Sequence, residues 1–194
     1  LSTISKGDYL LIQFGHNDQK PASSAYVEPF TGYKEQLKLY ISEARKRGAN
    51  PVLVTSVHRR AFDENNKIIN SHGDYPEAMR QVAKEEQVPL IDLNAMSAVF
   101  YEALGVEGSK KAFVHYPANS FPSQEKELAD NSHHSTYGAY QLAKCIVEGI
   151  RSNVPDLAKY IRNTPEYHPK NPDPYEKWSW PVSPSFESIK PDGY

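Results

Sequence analysis

Apolar positions recur along this chain with two different periods, and the order of the two sets the class of fold. "DYLLIQF" (8–14), "PVLVTS" (51–56) and "VPLIDL" (88–93) are near-continuous apolar runs, the pattern of strands covered on both faces. Between them the period lengthens. Tyr33, Leu37, Tyr40, Ile41 and Ala44 recur at helical spacing within 31–47, Arg45 to Arg47 fill the last turn, and Gly48 stops it. Pro76 opens a second helix that ends near Glu86, with Ala78, Met79, Val82 and Ala83 on one face. Residues 94–104 read as helix, and so do 136–150, where Ala139, Leu142, Ala143, Ile146 and Ile150 face inward. Strand, helix, strand, helix, strand, helix predicts a parallel sheet. In such sheets ligands bind just beyond the carboxyl ends of the strands.

The remaining segments are less regular. A polar loop fills 15–30, and 57–74 is a long insert in which "ENNK" marks a turn, as of a small hairpin. Residues 105–135 read as a long, weakly structured loop. Beyond 163 the chain is rich in proline and aromatics, which excludes regular structure and predicts a tail strapped to the surface. The division expected is a domain portion over 1–162 and a tail over 163–194. The chain opens "LSTISKGD", with no Met and no signal peptide. Leu1 and Ile4 are spaced like the last turn of a helix stopped by Gly7. That start reads as a cut into a larger domain, or as a short ordered lead-in left by processing.

Composition narrows the function classes. A chain of 194 residues, 39% hydrophobic and 24% charged, suits one globular domain. A net charge of −2 gives no electrostatic reason to expect nucleic acid. No apolar stretch approaches the roughly 18 residues of a membrane span, so no membrane partner is expected. The single cysteine, Cys145, excludes an internal disulfide framework and reads as buried filler.

Two clusters carry candidate chemistry. "GHND" (15–18) follows the first strand, where Gly15 permits a sharp turn and Asn17 can aim its amide at a ligand oxygen. The alternative is a turn in which Asn17 and Asp18 bond their own backbone. In "DNSHHSTYGA" (130–139), Asp130 and His133 lie three apart in a loop. A carboxylate so placed accepts the Nδ1 proton, fixes the tautomer and supports the imidazole as a general base. His134 competes for that role, and Ser135 or Thr136 capping the next helix is the alternative reading. Arg59 and Arg60 after the second strand are candidates to meet uronate carboxylates, since guanidinium forks suit them, and a solvated pair is the alternative. His58 and His115 are weaker candidates of the same kind. A metal site needs three or four converging ligands, and no such spacing is present. A metal-dependent hydrolase using His16, His115 and His133 is the weakest reading.

"LLIQFGHND" with "DNSHHSTYGAYQLA" resembles the third and fifth blocks of the SGNH (GDSL-like) hydrolase superfamily, nearest to its rhamnogalacturonan acetylesterase group. "VLVTSVHRR", "HGDYPEAMRQVAKEEQVPLIDLNAMS", "VHYP" and "SPSFESIKPDGY" extend the likeness over nearly the whole chain. The resemblance implies a three-layer α/β/α, flavodoxin-like fold and a serine esterase, without cofactor or metal, that removes acetyl groups from pectic or related polysaccharides. It implies Asn17 as an oxyanion donor in the block of Gly15, Asn17 and Asp18, with His133 as base and Asp130 as its partner. His16, Arg59, Arg60, His115 and His134 are then the weaker substrate-binding candidates. Ser132 stands where the family usually has Thr, and His134 where an aromatic is common. The blocks bearing the nucleophilic Ser and the second oxyanion Gly are absent, so the first strands of the fold are not in this chain. Without them strand 8–14 is an exposed apolar edge. It is expected to be covered by a separate chain or fragment, or by a symmetry mate. Alone, the chain is expected to be nearly inactive. Family members are usually exported, so a secreted or periplasmic location is expected. The alternative is a non-catalytic glycan-binding remnant that stacks sugars on Tyr175, Trp178 and Trp180.

Overall fold

Alternation along the second strand organises the molecule. The computed structural model describes residues 3–181. Its centre is a parallel sheet in the order β1 (Tyr9–Ile12), β2 (Asn50–Val54), β3 (Leu90–Ile91). Leu53 points to one face, where it joins Ile12, Leu37, Ile41, Met79 and Val82 under α1 (Lys34–Lys46) and α2 (Tyr75–Glu85). Val52 and Val54 point to the other, joining Ile91, Phe100, Leu142 and Cys145 under α3 (Leu93–Gly108) and α4 (Thr136–Asn153). The layers are therefore α/β/α. Each fully buried aliphatic side chain contributes about 1.5–3 kcal/mol of transfer free energy, so both helix layers are held chiefly by this sheet.

A single π-helical turn, Pro29–Tyr33, leads into α1, and α3 breaks at Gly105 before its last turn. Asp92 knots the far ends of β2 and β3 to the helices. It caps α3 at Ala95, accepts from Thr55 and receives two bonds from Arg80.

Four expectations are corrected. The first strand is covered on one face only: Leu11 is 40% exposed, and β1 forms one edge of the sheet among the described residues. Residues 105–135 are not weakly structured throughout, because β4 (Phe113–Tyr116) pairs antiparallel with β5 (Leu128–His134). Asp130 and His133 thus sit on a strand rather than in a loop. At the start, residues 3–8 form turns closed by the Ser5 amide on the Asp8 carboxylate at 2.8 Å, not a helix end. Leu1 lies outside the described residues. The "ENNK" turn closes one antiparallel bridge, Phe62 with Ile68.

Gly138 sets α4 against the turn that precedes β4. A Cβ there would lie 1.9 Å from the Ala112 carbonyl oxygen, so no side chain fits. Residues 163–181 lie on the body. Asp173 receives Gln141 and Lys144, its carbonyl accepts the Tyr137 hydroxyl at 2.7 Å, and Trp178 packs edge-on to Tyr137. The segment "SPSFESIKPDGY" lies outside the described residues.

Candidate active site

The loop after β1 is anchored at several backbone groups. Tyr33 and Ser56 hydroxyls both donate to the Phe14 carbonyl, at 2.9 and 2.6 Å. The Asp18 carboxylate accepts the Gly15 amide at 2.9 Å, and Tyr75 donates to the Asp18 carbonyl at 3.1 Å. Gly15 takes φ +130°, and a Cβ would meet Ser56 Oγ at 2.7 Å. Both the left-handed backbone and the close approach require glycine. Lys20 donates to Asn17 Oδ1 at 2.8 Å. An ammonium only donates, so it fixes the amide with its oxygen outward to Lys20 and leaves Nδ2 as the unclaimed donor.

The second cluster is aimed by a bulge. Phe113 pairs with His134, yet the next residue, Val114, pairs with Asp130. Asn131, Ser132 and His133 are surplus to the ladder and swing out of it. Asp130 closes this excursion. Its Oδ1 accepts the amides of Ser132 and His133 at 2.6 and 3.0 Å, and its Oδ2 meets His133 Nδ1 at 2.6 Å. The hydrogen bond from His133, with those from the two amides, holds the Asp130 carboxyl down to about 2. The His133 side chain is 81% exposed, so its Nε2 edge is open.

These two clusters face one cleft of about 900 Å³, lined by His16, Asn17, Gln19, Lys20, Arg59, Ser132, His133 and His134, among others. Of the candidates from sequence, Asn17, His133, His16, Arg59 and His134 meet here. Gly15, Asp18 and Asp130 stand behind them as supports. Arg60 and His115 do not line it. Arg60 ties the bulge to α3 through Ser109, Asn131 and the Val106 carbonyl. His115 bonds Asn131 at 2.9 Å and lines a separate hollow with Lys110 and Tyr175. With His115 outside the cleft, the His16, His115 and His133 set does not converge, and no cluster of three or more ligating side chains exists among the described residues. Arg59 is at the wall, where Nη1 donates to the Ser71 carbonyl and Nη2 to the His16 carbonyl.

The cleft is cationic by lining but largely neutral in its imidazoles. Burial first, then the charges of Arg59 and Lys20, lowers His16 to about 4. Burial lowers His134 to about 4, and its Nε2 bonds the Tyr101 hydroxyl at 2.7 Å. Beneath His16 lies His72, fully buried, rings 4.3 Å apart, lowered by burial to about 3. Lys20, Gln19 and His72 had no distinguishing signal in the sequence. The roles of Gln19 and His72 arise from contacts between the loop after β1 and residues 57–74, which no local spacing encodes.

No family model matches the chain. It is 50% identical over 147 residues to rhamnogalacturonan acetylesterase RhgT of Bacillus subtilis (strain 168), covering 76% of this chain and 62% of that protein. It is 38% identical over 152 residues to the probable rhamnogalacturonan acetylesterase YesY of the same organism, covering 78% and 65%. The crystal structure of protein YxiM from Bacillus subtilis superposes with a TM-score of 0.63 at 25% identity, over 78% of this chain and 38% of that one. The chain thus spans less than two thirds of the length of these relatives. Sequence likeness to the two Bacillus subtilis relatives and the layered parallel sheet agree with the resemblance of the two blocks to the SGNH hydrolase superfamily.

Proposed function

We propose that this chain carries the base, its carboxylate partner and one oxyanion donor of a serine-dependent carbohydrate O-acetylesterase that acts on acetylated pectic polysaccharide. The observation that carries the reading is the shared cleft of Asn17 and His133, with Asp130 at 2.6 Å behind the ring. In this reading Asp130 fixes the Nδ1–H tautomer, so Nε2 is the basic edge. His133 takes the proton of a serine hydroxyl as its oxygen attacks the acetyl carbonyl, then returns it to the departing sugar hydroxyl. Asn17 Nδ2 donates to the oxyanion, and loss of such a donor typically costs about 3–4 kcal/mol of transition-state stabilisation.

The nucleophile in this reading lies on a segment that adds to the open edge of β1, in the same polypeptide or from another. The exposed apolar Leu11 there supports that placement. Its polysaccharide substrate lies outside the cell, and we place the enzyme there with it. The test is acetate release from acetylated rhamnogalacturonan and from 4-nitrophenyl acetate by the full-length protein. His133→Ala is expected to abolish both. Undiminished release by that variant overturns the reading.

A further inference from the structure

We infer that Arg59 is a positioning residue that sets the orientation of the Asn17 donor through the His16 carbonyl, an inference that rests on the esterase reading above. The His16 carbonyl and the Asn17 amide belong to one rigid peptide plane. Arg59 Nη2 donates to that carbonyl at 3.2 Å, and Nη1 donates to the Ser71 carbonyl at 2.9 Å. The Gln19 carboxamide, taken with its oxygen toward the guanidinium, accepts from both Nη atoms at 2.9 and 3.0 Å and donates to the Ser71 carbonyl at 3.1 Å. The Arg59 amide in turn donates to Ser71 Oγ at 3.1 Å.

The planar fork therefore joins three points: the peptide that bears Asn17, the next loop residue but one, and the insert at residue 71. Both Nη groups are engaged by groups of the chain itself. Phe14, Gly15 and Asp18 are held by other partners, and Lys20 holds the Asn17 side chain and carbonyl, so the bond to the His16 carbonyl is the contribution of Arg59 to the loop. A lysine cannot replace it, because a single ammonium cannot meet three oxygens in one plane. The insert over 57–74 is thereby tied to catalysis without touching substrate.

The experiment uses the full-length protein with Arg59→Ala and Arg59→Lys, assayed on acetylated rhamnogalacturonan and on uncharged 4-nitrophenyl acetate. A small misplacement of a reacting group lowers rates by about 10- to 100-fold. That fall in kcat is expected on both substrates, with KM nearly unchanged. Methylguanidinium is expected to restore part of the kcat of Arg59→Ala, and Arg59→Lys to remain low. A loss confined to KM on the uronate-bearing substrate would make Arg59 a substrate clamp and overturn the inference, as would wild-type kcat in both variants. Amide spectra of isotopically labelled protein give an activity-independent readout. The signals of residues 15–18 are expected to broaden or double in Arg59→Ala and in the milder Gln19→Leu, and unchanged signals in both would overturn the brace. Wild-type protein that releases no acetate overturns the esterase reading instead, and the spectra still judge the brace.

Discussion

Asp130 grips His133 twice, by the ring and by the backbone. One carboxylate oxygen accepts the His133 amide at 3.0 Å while the other meets Nδ1 at 2.6 Å. The two bonds separate two tasks, shaping the bulge and choosing the tautomer. Asp130→Asn keeps an oxygen for the amides but turns an NH₂ to the ring. We expect a thermal midpoint near wild type and a fall in kcat on the order of 10⁴-fold, as for other wrong-tautomer triads. Steady-state acetate release on the full-length enzyme, with a melting curve beside it, checks both halves.

Acid should loosen the cleft wall before it unfolds the sheet. His16 is lowered to about 4 and His72 to about 3, both chiefly by burial. Their unfolded pKa lies near 6.5. The unfolded chain therefore takes up protons first, and stability falls as pH drops from about 6.5 toward 3. Above 6.5 these two groups contribute no slope. Urea midpoints measured from pH 7.5 to 4.5 should decline, and His72→Phe should flatten that decline. A flat profile in the wild type would remove the buried imidazole pair from the account.

Gly15→Ala combines a forbidden backbone with a clash. The residue holds φ +130°, and its new Cβ would meet Ser56 Oγ at 2.7 Å. Such strain costs about 1–3 kcal/mol. The double variant with Ser56→Ala should recover only the steric part. Denaturant unfolding of both proteins separates the two contributions.

Arg60→Ala should act on stability rather than on charge recognition. Its guanidinium bonds Ser109, Asn131 and the Val106 carbonyl, away from the cleft. Hydrogen bonds from a charged donor contribute about 1.5–3 kcal/mol each when partly buried. A lowered unfolding midpoint is expected, while the ratio of KM values for charged and neutral esters stays at the wild-type figure. A selective rise in KM for the charged ester would return Arg60 to the substrate site.

The legible part of this protein was its hydrophobic ladder. The apolar runs placed β1 to β3 within a few residues. Helical spacing found α1, α2, α3 and α4 with their stop at Gly48 and their start at Thr136. The pair β4 and β5 escaped because "LADNSHH" has little apolar signal and its residues alternate between half-buried and exposed. A bulged strand held by an aspartate looks, in sequence, like a loop. Arg60 misled for a related reason. A guanidinium that braces carbonyls and one that awaits a carboxylate have the same sequence signature, and only the partners tell them apart.

The three surplus residues of β5 make residue count, as distinct from residue type, the quantity that aims the imidazole. Exchanging Ser132 for another small polar side chain leaves the excursion its span. Removing a single residue between positions 130 and 134 shortens it, pulls the ring back toward the ladder and separates it from its carboxylate. Proteins that share this strand should therefore vary in spelling at the position of Ser132 while conserving the length of the excursion.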